Sequence, residues 1–189
     1  MKSKKRGMMI MQKKPKIDWV ANFIAKKCSY GGKRSKKNVD GIVIHFTGNV
    51  GDNAKNNVMF FSKKYGSNTR SAGAHFFVDQ LGNIGRSIPM NRIAYAVGNP
   101  KGSYRQGGYY TLLSNTNTVS IELCDNVDRY PSDAQINAVI ELVKYIRYYC
   151  PNAKTIVRHY DIVKKECPKL FVENEKKWFE FKNKIDVWG

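Results

Sequence analysis

The chain has 189 residues, 42% hydrophobic and 12% aromatic, which is enough for one well-packed core and short for two. Its formal net charge of +18 implies a polyanionic partner, whether nucleic acid, an acidic membrane surface or an anionic cell wall. No stretch reaches the ~18 apolar residues of a membrane span, so membrane insertion is not expected.

The opening MKSKKRGMMIMQKKPK has the basic flank of an export signal, but its apolar run MMIM falls far short of the ~7–15 residues such a signal needs. A product made in the cytoplasm without a signal peptide is expected, with residues 1–14 a flexible basic tail and 15–189 a single domain. Pro15 suits the first turn of a helix whose apolar stripe is Ile17, Val20, Ala21, Ile24 and Cys28, ended by YGGKRSKKNVDG. IVIHF (42–46) is a β-rich run stopped by TGNVGDN, after which Ala54, Val58, Phe61 and Tyr65 mark a helix closed by Gly66. AHFFVDQLGNIGRSI reads as two strands around a turn.

Residues 98–117 are rich in Gly, Ser, Asn and Tyr and read as a long loop beside a binding surface. Within it Tyr104, Tyr109 and Tyr110 are candidates to stack on a ligand. TVSIEL (118–123) is a strand, and Ser132 with Gln135 fits a capping box opening a helix with the stripe Ile136, Val139, Ile140, Val143, Ile146 and Cys150. TIVRHY is a further strand, and Trp178, Phe181 and Ile185 mark a final helix. Strands interleaved with helices predict an α/β fold: one domain on a central mixed β-sheet flanked by helices.

The four cysteines, at 28, 124, 150 and 167, form no C-x-x-C pair, which argues against a zinc finger or a disulfide framework. Cys28 and Cys150 lie on apolar stripes and read as packing. Cys124 shares a strand face with Ser120 and Glu122, so it is either a packed thiol or a neighbour of a cleft. Of the three histidines, His45 and His159 each sit at the end of a predicted strand, and Cys167 follows His159 by eight residues. Two imidazoles and a thiolate are three ligands with a fourth position open, the pattern of catalytic rather than structural zinc. His75 is either a core histidine or a cleft residue.

IVIHFTG, AGAHFFVDQLGNIGR, AYAVGN, NTVSIEL and RHYDIVKKECP, in this order across roughly residues 40–170, resemble the zinc-dependent N-acetylmuramoyl-L-alanine amidases of the type 2, peptidoglycan-recognition-protein fold. The resemblance implies one Zn2+ on His45, His159 and Cys167. It implies Glu122 as the group that activates water and Lys165 as the cation that stabilises the transition state. His75, Tyr104 and Tyr109 are left as substrate-contact candidates. The implied substrate is bacterial peptidoglycan, cut between N-acetylmuramic acid and L-alanine of the stem peptide, and the implied context is a phage or prophage endolysin released from the host cytoplasm. A non-catalytic wall-binding module of the same fold is the alternative. The family's usual tyrosine before the histidine of HFFVD is Ala74 here, and the histidine often found in the AYAVG segment is Ala96, which puts more weight on Glu122. With a monomer expected, the basic surface is assigned to anionic wall polymers. No specific nucleic acid is expected, for the chain lacks an RNA-binding aromatic signature or a C-x-x-C finger.

Overall fold

The computed structural model describes residues 14–98, 102–187 and 189. Residues 1–13, nearly all of the expected basic tail, lie outside them. The strands are β1 (Trp19–Asn22), β2 (Tyr30–Lys33), β3 (Gly41–Phe46), β4 (Phe76–Val78), β5 (Ile84–Arg86), β6 (Arg92–Ala94), β7 (Thr118–Leu123) and β8 (Thr155–Arg158). The helices are α1 (Ala54–Phe61), α2 (Asp133–Tyr149), α3 (His159–Ile162), α4 (Lys169–Glu173) and α5 (Glu175–Val187). Six strands form one sheet in the order β1-β5-β4-β7-β3-β8, while β2 and β6 pair apart as an antiparallel ribbon. The sheet is mixed: β3 runs parallel to β7 and β8, β4 parallel to β7, and β5 antiparallel to β4.

Because strand side chains alternate between faces, each run of the sheet has two destinations. Ile42, Ile44, Phe76, Val78, Val119, Ile121 and Ile156 point to one side, where Leu142 and Ile146 of α2 and Phe181 and Ile185 of α5 close the main core. The other face carries Val43, His45, Ser120, Glu122 and Phe77, and it is there that polar groups gather. Burial on both sides explains why GIVIHF reads as a continuous apolar run rather than an alternating one.

Ser132 caps α2 by accepting from the Gln135 amide at 3.1 Å, as its spacing predicts. The Gln135 side chain does not complete the box. It donates to the carbonyls of Val78 (2.8 Å) and Cys124 (3.2 Å), pinning the first turn of α2 to the ends of β4 and β7.

The expected helix over residues 15–28 is not formed: the segment is β1, an edge strand parallel to β5, followed by a short 3-10 turn at Lys27–Ser29. The apolar residues there satisfy a period of two as well as a helical one. The free edge of β5 decides between them, burying Ala21 and Ala25 while Val20 and Ile24 stand 40% and 57% exposed. Cys28 accordingly lies in a turn rather than on a stripe. α1 ends at Phe61, so Gly66 is not its cap. A side chain at Gly66 would sit 2.1 Å from the Phe60 carbonyl, and that close approach is what requires glycine.

Candidate metal centre

The strand order brings the site together. β3 lies between β7 and β8, with His45 directly paired in register with Glu122, and β8 delivers His159 at the first turn of α3. From there Lys165 N–H donates to the Val163 carbonyl, Cys167 N–H to the Lys165 carbonyl, and Tyr160 N–H to the Cys167 carbonyl. These turns fold the chain back on itself, so that Cys167 returns to His159 instead of continuing outward. The donor atoms of His45, His159 and Cys167 all lie within 4.8 Å of one another, and all three residues are buried. Cys167 Sγ stands 3.7 Å from His45 Nδ1, and the two imidazole rings meet edge to face at 4.8 Å.

His45 Nε2, both ring nitrogens of His159 and Glu122 Oε2 are shut off from solvent without a hydrogen-bond partner. Buried polar atoms are ordinarily paired, so such a group of orphans marks a place built for something else to bind. Burial first, then the nearby Lys165 charge, lowers His159 to about 4, while the Gly98 backbone, close to the ring but outside hydrogen-bond geometry, offsets this in part. His45 is held well below its usual value by burial, by His159 and by Lys165. Both imidazoles are therefore neutral near pH 7, with lone pairs free to bind a metal. Burial and the Glu122 carboxyl push the Cys167 thiol up to about 12, and burial raises Glu122 to about 8 against the opposing pull of Lys165. Two neutral imidazoles, a thiol and a carboxyl fit a divalent cation, whose charge such a site lacks. Lys165 is half-buried and its charge is felt by every member of the group.

His75 is not brought to the cleft. It is 1% exposed, its Nδ1 meets Ser120 Oγ and the Ser120 amide, and its Nε2 meets Arg34 Nη2 and the Arg92 carbonyl. Tyr104 and Tyr109 lie on the same side of the sheet as His45, packed against Val43, Val157 and Ile162. Their loop docks on the segment leading to Lys165, with Gly107 N–H on the Ile162 carbonyl and Tyr109 N–H on the Asp161 carbonyl. A side chain at Gly107 would sit 2.3 Å from the Asp161 oxygen. Cys124 is fully buried against Ala54, Val58, Ala74 and Phe77, a packed thiol rather than a cleft residue.

Two supports of the site carry little signal in the sequence. Arg158, 4% exposed, donates to Asp161 and to the Phe171 carbonyl and forms ion pairs with Asp161 and Glu175, so the residue before His159 anchors α3 to α4 and α5. The acid three positions after the arginine was its only visible signal. Asp52 accepts from the Asp125 amide and the Asn57 side chain, tying the loop after β3 to the loop after β7 beside Glu122.

A profile of the N-acetylmuramoyl-L-alanine amidase family matches residues 35–170. The chain is 31% identical over 150 residues to the N-acetylmuramoyl-L-alanine amidase CwlL of Bacillus licheniformis, covering 78% of this chain and 41% of that protein. It is 35% identical over 159 residues to the N-acetylmuramoyl-L-alanine amidase BlyA of Bacillus subtilis, covering 76% and 40%. The chain thus spans about two fifths of the length of these curated relatives. Among solved structures, a mutant endolysin from Bacillus subtilis superposes with a TM-score of 0.66 at 24% identity, over 90% of this chain and 99% of that one. The catalytic domain of XlyA gives 0.65 at 23% identity, over 89% and 99%. At that identity the superpositions speak to the fold, a single domain with a central mixed sheet flanked by helices. With the profile spanning most of the domain and two curated relatives above 30% identity, this chain belongs to the N-acetylmuramoyl-L-alanine amidase family.

Proposed function

We propose that the chain is a zinc-dependent peptidoglycan hydrolase that cleaves the amide between N-acetylmuramic acid and L-alanine of the stem peptide. The observation that carries the reading is the convergence of three buried donors, His45, His159 and Cys167, on one point beside Glu122, with His45 Nε2 and both ring nitrogens of His159 lacking a hydrogen-bond partner. His45, His159 and Cys167 would hold the zinc, which would supply Lewis-acid polarisation of the scissile carbonyl and a more acidic attacking water.

The remaining steps belong to the protein. Glu122 takes the proton from the attacking water and returns it to the departing alanine nitrogen. Its carboxyl is buried beside the donor set with Oε2 free of any hydrogen-bond partner, placed to accept that proton and give it back. Lys165 places a fixed positive charge beside the oxygen that becomes negative in the transition state. Burial of the ligands keeps bulk water away from the reacting centre. The cellular role proposed is that of an endolysin, acting on the wall after release from the cytoplasm, and the solved relatives of the same fold described as endolysins support it. Among the described residues no helix is long and apolar enough to cross a membrane.

Mass spectrometry of digested peptidoglycan tests the bond assignment. Release of a new alanine amino terminus together with intact lactyl-bearing glycan is expected. New reducing sugar ends, or no cleavage at all, would refute it, the latter leaving a wall-binding module of the same fold.

A further inference from the structure

On the face of the sheet opposite the metal centre, a surface hollow of about 140 Å3 opens between the turn after β2 and α2, lined by Lys36, Arg86, Asn91 and Tyr145 over a floor of Phe76 and Met90. No carboxylate lines it, and neither Lys36 nor Arg86 enters an ion pair among the described residues. Arg86 spends its Nε on Asn22 (2.8 Å) and lies over the Trp19 ring at 5.3 Å, and neither of its Nη groups has a hydrogen-bond partner among the described residues. The guanidinium is thereby held in one orientation while its fork stays available, the arrangement that suits a tetrahedral oxyanion.

The hollow continues into an aromatic track on α2. Tyr145 and Tyr149 have centroids 4.9 Å apart, Tyr149 and Tyr148 5.0 Å. Lys36 sits over the Tyr149 ring at 4.5 Å, and Lys14 approaches the same ring at 5.9 Å. Cations spaced along a run of flat apolar rings fit a chain that alternates charged and apolar groups better than they fit a single ion. The hollow is well below the roughly 300 Å3 at which pockets enclose a drug-sized ligand, so it admits a charged group with a short carbon linker rather than a nucleotide with its base.

We propose that the hollow and the track form a second, non-catalytic site for a wall polymer of phosphodiester-linked polyol units. One phosphate lies between Lys36 Nζ and Arg86 Nη, and the polyol carbons run over Tyr145 and Tyr149. The choice of a wall polymer over other polyanions rests on the amidase reading. Because the site is on the far face of the sheet, a bound polymer leaves the metal centre open to a glycan strand.

Calorimetric titration of soluble poly(glycerol phosphate) into the full chain at low salt tests this. Lys36→Gln with Arg86→Gln is expected to weaken binding about tenfold, whereas Lys55→Gln with Lys184→Gln, which removes the same charge from α1 and α5, changes it less than about twofold. Lys36→Gln alone, a half-buried side chain without a hydrogen bond, is expected to cost about threefold and covers a folding failure of the double variant. Equal losses in the two double variants, or tighter binding of oligothymidylate than of poly(glycerol phosphate), would overturn the site. Cleavage of a soluble muramyl peptide should be the same in all these proteins. Its absence throughout would sink the amidase reading and leave the binding comparison to judge the polyanion site separately.

Discussion

Cys167 Sγ lies 3.7 Å from His45 Nδ1 although 122 residues separate them in the chain. The contact joins the end of β3 to the turn after α3, and the thiol in it is held protonated by burial. Metal binding must therefore expel a proton, and affinity for Zn2+ should rise at least about tenfold per pH unit between pH 6 and 8, where His45 and His159 are already neutral and Glu122 can release a second proton beside the cation. Cys167→Ser replaces a potential thiolate with a hydroxyl that does not ionise. It is expected to lose zinc and activity together, while Cys167→Asp retains part of both. Competition with a chromophoric chelator across that pH range measures the affinity, and a pH-independent value would exclude Cys167 as a ligand.

Glu122 and Lys165 act electrostatically on the same centre without belonging to the donor set. Glu122→Gln is expected to keep one zinc per chain and lose ~10²–10⁴ in kcat. Lys165→Met should keep the metal and lose ~10²–10³. Metal analysis alongside single-turnover rates separates these outcomes from simple loss of the ion. A variant that retains near-original turnover would remove its residue from the mechanism.

Much of this site is legible in the sequence because it is built from strand ends. IVIHF and TIVRHY announce themselves by β-branched runs, each with its histidine at the end, and a parallel sheet carries such ends to one edge. What the sequence did not carry is which strands become neighbours. That β3 separates β7 from β8, and so seats His45 beside Glu122, follows from sheet order alone. The edge strand β1 mimics a helix in the sequence because Ile17, Val20, Ala21 and Ile24 fit a helical period while Ile17, Trp19, Ala21 and Phe23 fit a period of two, and the choice depends on a partner 65 residues away, Ile84 opposite Trp19. His75 illustrates the same limit. Nothing local distinguishes it from His45, yet Arg34, Ser120 and Arg92 close around it from three separate segments.

Arg158 should act on the metal without touching it. Its side chain is 5% exposed and pairs with the side chains of Asp161, 18% exposed, and Glu175, 54% exposed. Arg158→Met leaves Asp161 without its partner and is expected to destabilise the fold by ~3 kcal/mol. Because His159 begins the turn that Arg158 anchors, zinc affinity should fall too. Arg158→Lys should recover part of the stability but little of the affinity, since a single ammonium cannot reach Asp161, Glu175 and the Phe171 carbonyl together. Denaturant titration paired with zinc competition reads both quantities. Unchanged affinity in Arg158→Met would confine the residue to structure.

His75 gives a pH signature independent of the metal. Burial and the neighbouring Arg34 guanidinium lower it to about 3, against an ordinary value of 6.5. Folded protein keeps the imidazole neutral while the unfolded chain protonates it, so the stability tied to this group is present above pH 6.5 and is lost as pH falls toward 3. His45 and His159 are lowered as well and slope the same way, so the informative quantity is the difference between original protein and His75→Gln, both metal-free. The original should lose stability more steeply between pH 6.5 and 4. Parallel curves would mean that His75 titrates alike in the folded and unfolded chains.

The net charge of +18 should act at a distance that the catalytic group does not. Attraction of exposed lysines to an anionic wall is long-range, and salt shortens its reach from ~10 Å at 0.1 M to ~3 Å at 1 M. Contacts inside the metal centre operate among buried atoms within 4.8 Å of one another and are screened far less. Lysis of intact walls should therefore fall steeply across a salt series, while cleavage of a small soluble muramyl peptide changes little. Walls stripped of their phosphate polymers separate two sources of the effect. If the basic surface reads those polymers, stripped walls are cut more slowly at low salt and lose their salt dependence, so that both wall preparations converge at 1 M. The same steep dependence on stripped walls and on the soluble peptide would place the salt effect at the catalytic centre and remove any targeting role from the charge.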